Sequence, residues 1–205
     1  PGTTILVCPG TYTKQVNIVG EEKSAIRLIA FGNDDEVVLQ GDHTEAAGFY
    51  LEKVTNVLIR GFTVRDFGNK PTTASQFGWG CAIHLADANY NIVENNRVSR
   101  TDMTGIFLSN SANNVVRHNL VSEIDPQGYG AGIWLNGRRS ANNLVFQNYV
   151  FGQPGTGIVV WSCGPGNVIL DNNSSNNGQF GMHHDDTEGT LIENNRFSYN
   201  AGAWG

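Results

Sequence analysis

Several side chains in this 205-residue sequence are of types that could do chemistry together. His84 stands in an apolar run, Ala82-Ile83-His84-Leu85, where an imidazole could take up or give a proton near neutral pH. Arg138 and Arg139 lie in the span from Pro126 to Leu170, which contains no Asp or Glu, and form a local cationic patch suited to holding an anion on a chain of net charge −6. Asp66, Asp102, Glu123 and Asp125, and Asp185 with Asp186, are the candidates for the two facing carboxylates that glycoside hydrolysis requires. The segment Met182-His183-His184-Asp185-Asp186, with Glu188 beyond it, offers metal-ligand types. Adjacent residues of a strand point to opposite faces, so His183 and His184 cannot both hold one ion without distorting the backbone. That leaves Asp185, Asp186 and Glu188 as the metal candidates, with His184 reading as a buried, hydrogen-bonded histidine near the end of the chain.

These residues are positioned by a repeat. Asn91–Leu108 runs Asn-x-Val-x-x-Asn-x-Val, through a polar turn, into Gly-Ile-x-Leu, and the pattern returns along the chain. Its central asparagines are Asn96, Asn119, Asn148, Asn172 and Asn195, spaced by 23, 29, 24 and 23 residues. The second segment recurs at Ala82–Leu85, Gly105–Leu108, Gly132–Leu135, Gly157–Val160 and Gly181–His184, with a looser copy at Gly48–Leu51. Short alternating strands at such a period describe a solenoid whose coils bury their apolar faces only by stacking. Asparagines recurring at one turn can bond to those of the coils above and below, so these five are structural.

Alternation along Gly-Ile-x-Leu turns one residue per coil outward. The resulting column is Tyr50, His84, Phe107, Trp134, Val159 and His183, followed two residues on by Glu52, Ala86, Ser109, Asn136, Trp161 and Asp185. An exposed aromatic strip rising about 4.8 Å per coil matches the length of a sugar ring, and aromatic faces stack on sugars. The small residue before each Ile is expected to let a ligand approach the backbone. Two long insertions, Arg65–Gly80 and Ser122–Ala131, enter the same turn two coils apart. They are expected to wall the cleft carrying Phe107 and to add the aromatics Trp79 and Tyr129. Stacked aromatics stabilising the sheet exterior or a subunit contact is the competing reading.

The repeat from Ile5 to Tyr199 resembles the right-handed parallel β-helix repeat of pectate lyases, alginate lyases and epimerases, and polygalacturonases. It is also similar to that of the periplasmic maturation factors of nitrous oxide reductase. The resemblance implies an all-β, right-handed parallel β-helix of about seven to eight coils. It further implies a secreted or cell-envelope protein acting on an acidic polysaccharide as a lyase or epimerase. In such enzymes a base removes the proton α to a uronate carboxylate while a cation, often Ca²⁺, stabilises the intermediate. Here His84 would be the base or acid and Arg138 or Arg139 the anion binder. Tyr50, Phe107, Trp134, Trp161, Tyr129 and Trp79 would contact substrate. The Asp pair and Gly-His motif of polygalacturonases are not reproduced, which leaves a glycoside hydrolase as a further alternative beside a noncatalytic glycan-binding, surface or assembly module.

Composition bounds the rest. The net charge of −6 and the lack of a basic stripe argue against nucleic acid as a partner. The longest apolar runs, Ile26–Phe31 and Gly157–Trp161, are strand-sized and far short of a membrane span. Cys8, Cys81 and Cys163 have no metal-type spacing, and Cys81 and Cys163 fall about 14 Å apart on three coils. They read as free thiols, with a Cys8–Cys81 bridge left open. Residues 1–205 form one domain. No capping helix precedes Pro1 and no polar cap follows Tyr199, so a fragment or processed form is expected, with uncapped edges that invite self-association.

Overall fold

The structure is a computed structural model that describes residues 2–33, 35–68, 80–124 and 130–202. Trp79, Tyr129 and Asp125 lie outside the described residues. The chain winds into a right-handed parallel β-helix with three sheets, two of eight strands and one of seven. Each coil contributes one strand to each sheet, and every described pairing is parallel. The expectation of a β-solenoid is therefore met, and the first coil already contains all three strands, Thr4–Val7, Gly10–Tyr12 and Val16–Val19.

From the third coil on, the first two sheets use strands of three residues, such as Ile92–Glu94 and Arg97–Ser99, and only the middle residue faces the core. Val93, Val116, Val145 and Ile169 stack in one column, and Val64, Val98, Val121 and Val150 in another. The third sheet uses six-residue strands, Ala47–Glu52, Cys81–Ala86, Thr104–Ser109, Ala131–Asn136 and Thr156–Trp161. They supply Ile83, Ile106, Ile133 and Ile158, with Leu85, Leu108 and Leu135, to the same core, all fully buried. Like side chains stack on like, so the core continues along the axis and each coil is stabilised mainly by its neighbours.

The corner between the first two sheets explains the recurrent asparagines. Asn95, His118, Gln147, Asp171 and Asn194 each adopt a left-handed backbone with φ between 50° and 56°, which turns the chain in one residue. The asparagine that follows points inward. Asn119 Oδ1 accepts from both the backbone N–H and Nδ2 of Asn96, and the motif repeats from Asn119 to Asn148, Asn172 and Asn195. A second ladder, Asn91–Asn114–Asn143–Asn167, lines another corner, and Gln153–Asn177–Asn200 lines the third.

The glycine column has a different role from the one expected. A methyl carbon on Gly105 would lie 2.6 Å from Val121 Cγ1, and one on Gly48 would meet Val64. These glycines face the second sheet across the interior and set its packing distance; they do not open the outer face to a ligand. Cys8 is exposed, and Cys81 and Cys163 are buried.

Candidate functional site

The outer face of the third sheet carries the expected column in register. Tyr50 pairs with His84, His84 with Phe107, Phe107 with Trp134, Trp134 with Val159 and Val159 with His183; the column begins one coil earlier, at Asn17. Its exposure differs from expectation. Phe107 and Trp134 are only 6% and 5% exposed, and with Cys81, Ala131 and Val159 they form an apolar cluster on the outer face. Alternation assigns a side chain to a face of the sheet but does not say what packs over it. Ring stacking is part of the covering: His84–Phe107 centroids are 4.8 Å apart, Phe107–Trp134 5.6 Å and Trp134–Trp161 6.2 Å. Of the rings expected to meet substrate, Trp161 is the open one at 42% exposure, and Tyr50 is half-buried.

Tyr50 and His84 are the polar start of this stack, with ring centroids 5.3 Å apart. Tyr50 Oη donates to Glu52 Oε2 at 3.2 Å. Burial, reinforced by the Glu52 carboxylate, raises the phenol's pKa and keeps it protonated. Burial drives His84 the other way, to about 4, against a smaller opposing pull from Glu52, so the imidazole is neutral at pH 7. Ser109 Oγ lies between His84 Nε2 and the Leu85 carbonyl. With the serine proton turned to the Leu85 carbonyl, 3.4 Å away, the serine accepts from Nε2–H and the lone pair stands on Nδ1; with that proton turned to the imidazole, 2.9 Å away, the lone pair stands on Nε2.

Arg138 and Arg139 sit at the edge of this sheet, just past the corner that follows Ala131–Asn136, and each is ion-paired. Arg138 Nη2 contacts both Asp186 carboxylate oxygens at 2.8 and 2.7 Å, and Arg139 Nη2 contacts Asp87 Oδ1 at 2.6 Å. Arg138 therefore reaches two coils up and Arg139 two coils down. Asp87 directly follows the strand carrying His84, so Arg139 is brought to the end of that strand. There it lines a cavity of about 650 Å³ with Lys53, Asp87, Asn89, Thr55, Ser24 and Glu21.

The expected metal ligands are otherwise engaged or dispersed. Asp186 accepts from Ser162 and Arg138, which lower its pKa, and Asp185 accepts from the Asp186 backbone N–H. Among the described residues no three His, Cys, Asp or Glu side chains gather into a metal-binding group. His184, expected to be buried, is exposed along with His183, because its inward position lies at the last strand of the third sheet, where no further described strand covers it. Asp66, Asp102 and Glu123 are brought together at the turn between the second and third sheets, lining a cavity of about 390 Å³ with His43 and Arg100. Sequence reasoning overlooked His43, which belongs to no repeat position.

The sequence profile of the family described as "Periplasmic copper-binding protein (NosD)" matches residues 11–203. No curated protein sequence matches. Among solved structures, the catalytic domain of a GH87 alpha-1,3-glucanase is similar at 14% identity and a TM-score of 0.65, covering 88% of this chain and 36% of that one. Pectate lyase Pel9A is similar at 20% identity and a TM-score of 0.63, covering 87% and 46%. The periplasmic alginate epimerase AlgG is similar at 14% identity and a TM-score of 0.62, covering 97% and 51%. The chain thus spans about a third to a half of these structures, and at such identities the likeness is one of fold.

Proposed function

The chain belongs to the periplasmic copper-binding protein (NosD) family, and from that premise we propose that it is an envelope or secreted β-helix that cleaves an acidic polysaccharide by β-elimination. No helix among the described residues is long and apolar enough to cross a membrane. The family description names copper. The described residues do not fit a copper centre: no His/Cys/Asp/Glu group gathers, Cys81 and Cys163 are buried on separate coils, and Met103 is buried. The chemistry below uses only the chain's own acids and bases.

The observation that carries the reading is the Tyr50–His84 pair. Elimination needs a neutral base and a protonated acid within reach of one sugar, and the adjacent His84 imidazole and Tyr50 phenol supply both at pH 7. With its lone pair on Nδ1, His84 takes the proton α to the uronate carboxylate; the C4–O bond breaks as the C4–C5 double bond forms. Tyr50 gives its proton to the departing glycosidic oxygen. Tyr50 and His84 stand on the same outer face of the third sheet in register, with rings edge to face. Acid and base side by side serve a same-side elimination.

Anionic substrate is also supported at the sheet edge. Lys53 and Arg139 line a cavity at the ends of the strands carrying Tyr50 and His84, about 10 Å along the strand from His84. Lys53 and Arg139 are paired with Glu52 and Asp87, and would exchange those partners for the carboxylates of flanking sugar units; Trp161 offers an open stacking face. The solved structures that share the fold include a pectate lyase and an alginate lyase, which agrees with such a substrate.

The test is absorbance near 235 nm on pectate, alginate, chondroitin and neutral glycans, with and without Ca²⁺. The expected result is a rise on one uronate polymer that His84→Ala and Tyr50→Phe each reduce by roughly 10² or more. Silence on every uronate polymer, or activity untouched in both variants, would overturn the reading.

A further inference from the structure

The cavity at the turn between the second and third sheets is not used by this chemistry. Its charges do not balance. Arg100 is committed to Asp66 through two hydrogen bonds, Nε to Oδ1 at 2.7 Å and Nη2 to Oδ2 at 2.8 Å, which neutralises both groups. Two carboxylates remain, Asp102 and Glu123, from successive coils, with His43 as the only other ionisable partner among the described residues lining the cavity. His43 Nδ1 donates to Asp102 Oδ1 at 2.9 Å. Asp102 is 2% exposed, and its Oδ2 is buried without any hydrogen-bond partner. A carboxylate oxygen withdrawn from water and left unpaired is costly, and a charged donor offsets that cost best.

Gly68 packs directly against Asp102: a methyl carbon there would lie 2.5 Å from Asp102 Cβ and 2.7 Å from Oδ2, so any side chain would press on the carboxylate. With Arg100 already paired, no described residue lining the cavity supplies a free cation for an anionic ligand.

We propose that this cavity is a binding site for a primary ammonium group, with Asp102 and Glu123 as its carboxylate partners, carried by an amino sugar or a polyamine. The site is independent of the elimination reading. Glu123 supplies charge from the exposed rim and Asp102 supplies the buried acceptor, so a free amine is distinguished from its acetylated form by both charge and donor number.

Isothermal titration calorimetry of the intact chain with a glucosamine trisaccharide, its N-acetylated counterpart and spermidine tests this. Binding of the glucosamine trisaccharide or of spermidine, but not of the acetylated sugar, is expected, and which amine binds identifies the source. Glu123→Gln and Asp102→Asn should each weaken binding roughly tenfold or more, and Gly68→Ala should weaken it by pressing on the Asp102 carboxylate. Should Asp102→Asn fail to fold, Glu123→Gln alone carries the test. His84→Ala should bind the amine as the parent does while losing elimination, which separates failure of this site from failure of the other. Equal affinity for the acetylated sugar, no binding by either amine, or affinity unchanged in Glu123→Gln would overturn the proposal.

Discussion

Replacing Asn148 by alanine tests what holds the coils in register. The side chain is 2% exposed in the middle of its ladder. Its Oδ1 accepts from Asn119 N and Nδ2, both at 3.0 Å, and its Nδ2 donates to Asn172 Oδ1 at 3.0 Å and Val116 O at 2.9 Å. Asn148→Ala strands two donors on Asn119 and the Val116 carbonyl. Asn172 Oδ1 keeps the backbone N–H of residue 148 as a donor. Three stranded buried groups at roughly 1–3 kcal/mol each give a loss of about 5 kcal/mol. At 2–4 °C per kcal/mol, that lowers Tm by about 10–20 °C. Urea unfolding followed by circular dichroism measures it. A loss below about 1 kcal/mol for Asn148→Ala would refute the reasoning and show that the stranded groups recover their bonds from water.

Four further outcomes follow from the outer face and the interior. His84 has a folded pKa near 4 against an unfolded value near 6.5, so its neutral form contributes stability that is fully present above pH 6.5 and lost as pH falls toward 4. The loss is about 3 kcal/mol, and His84→Gln should flatten that part of the stability–pH curve. The same group sets the acid limb of elimination, so kcat/KM should rise with pH through about 4 and level off well before neutrality. Trp134→Ala should destabilise by about 3–5 kcal/mol because the ring is a buried part of the outer-face stack, while Trp161→Ala should leave Tm nearly unchanged and raise KM. Gly157→Val should fail to fold, since even a methyl carbon there collides with Ser174 Oγ, and soluble expression with a native-like spectrum would contradict the interior role of the glycine column.

Much of the fold could be read from the sequence because a solenoid writes its contacts as a period. The asparagines at Asn96, Asn119, Asn148, Asn172 and Asn195 predict both the corner and its ladder. The second ladder was equally visible, since Asn91, Asn114, Asn143 and Asn167 recur by 23, 29 and 24 residues. The face assignment of Tyr50, His84, Phe107 and Trp134 was legible from alternation, but their burial was not, because it depends on what packs over the outer side of the sheet. Arg138 and Arg139 appeared as an unopposed cationic patch only along the chain; winding brings Asp186 and Asp87 to them from two coils away on either side. His43 carried no signal, since its contact with Asp102 spans 59 residues and occurs at an insertion outside the repeat.

The parallel pairing of all three sheets also decides how the molecule would respond to force. The ladder hydrogen bonds, and the asparagine bonds that join one coil to the next at the corners, point along the helix axis. Tension along that axis loads one coil's bonds at a time and peels coils from an end, whereas tension across it must slide many strands together. Stretched end to end in a single-molecule experiment, the chain should lengthen in steps of one coil, about 24 residues, or roughly 80 Å each. The elongated shape that gives the outer face its length thus makes the protein weakest along its longest dimension.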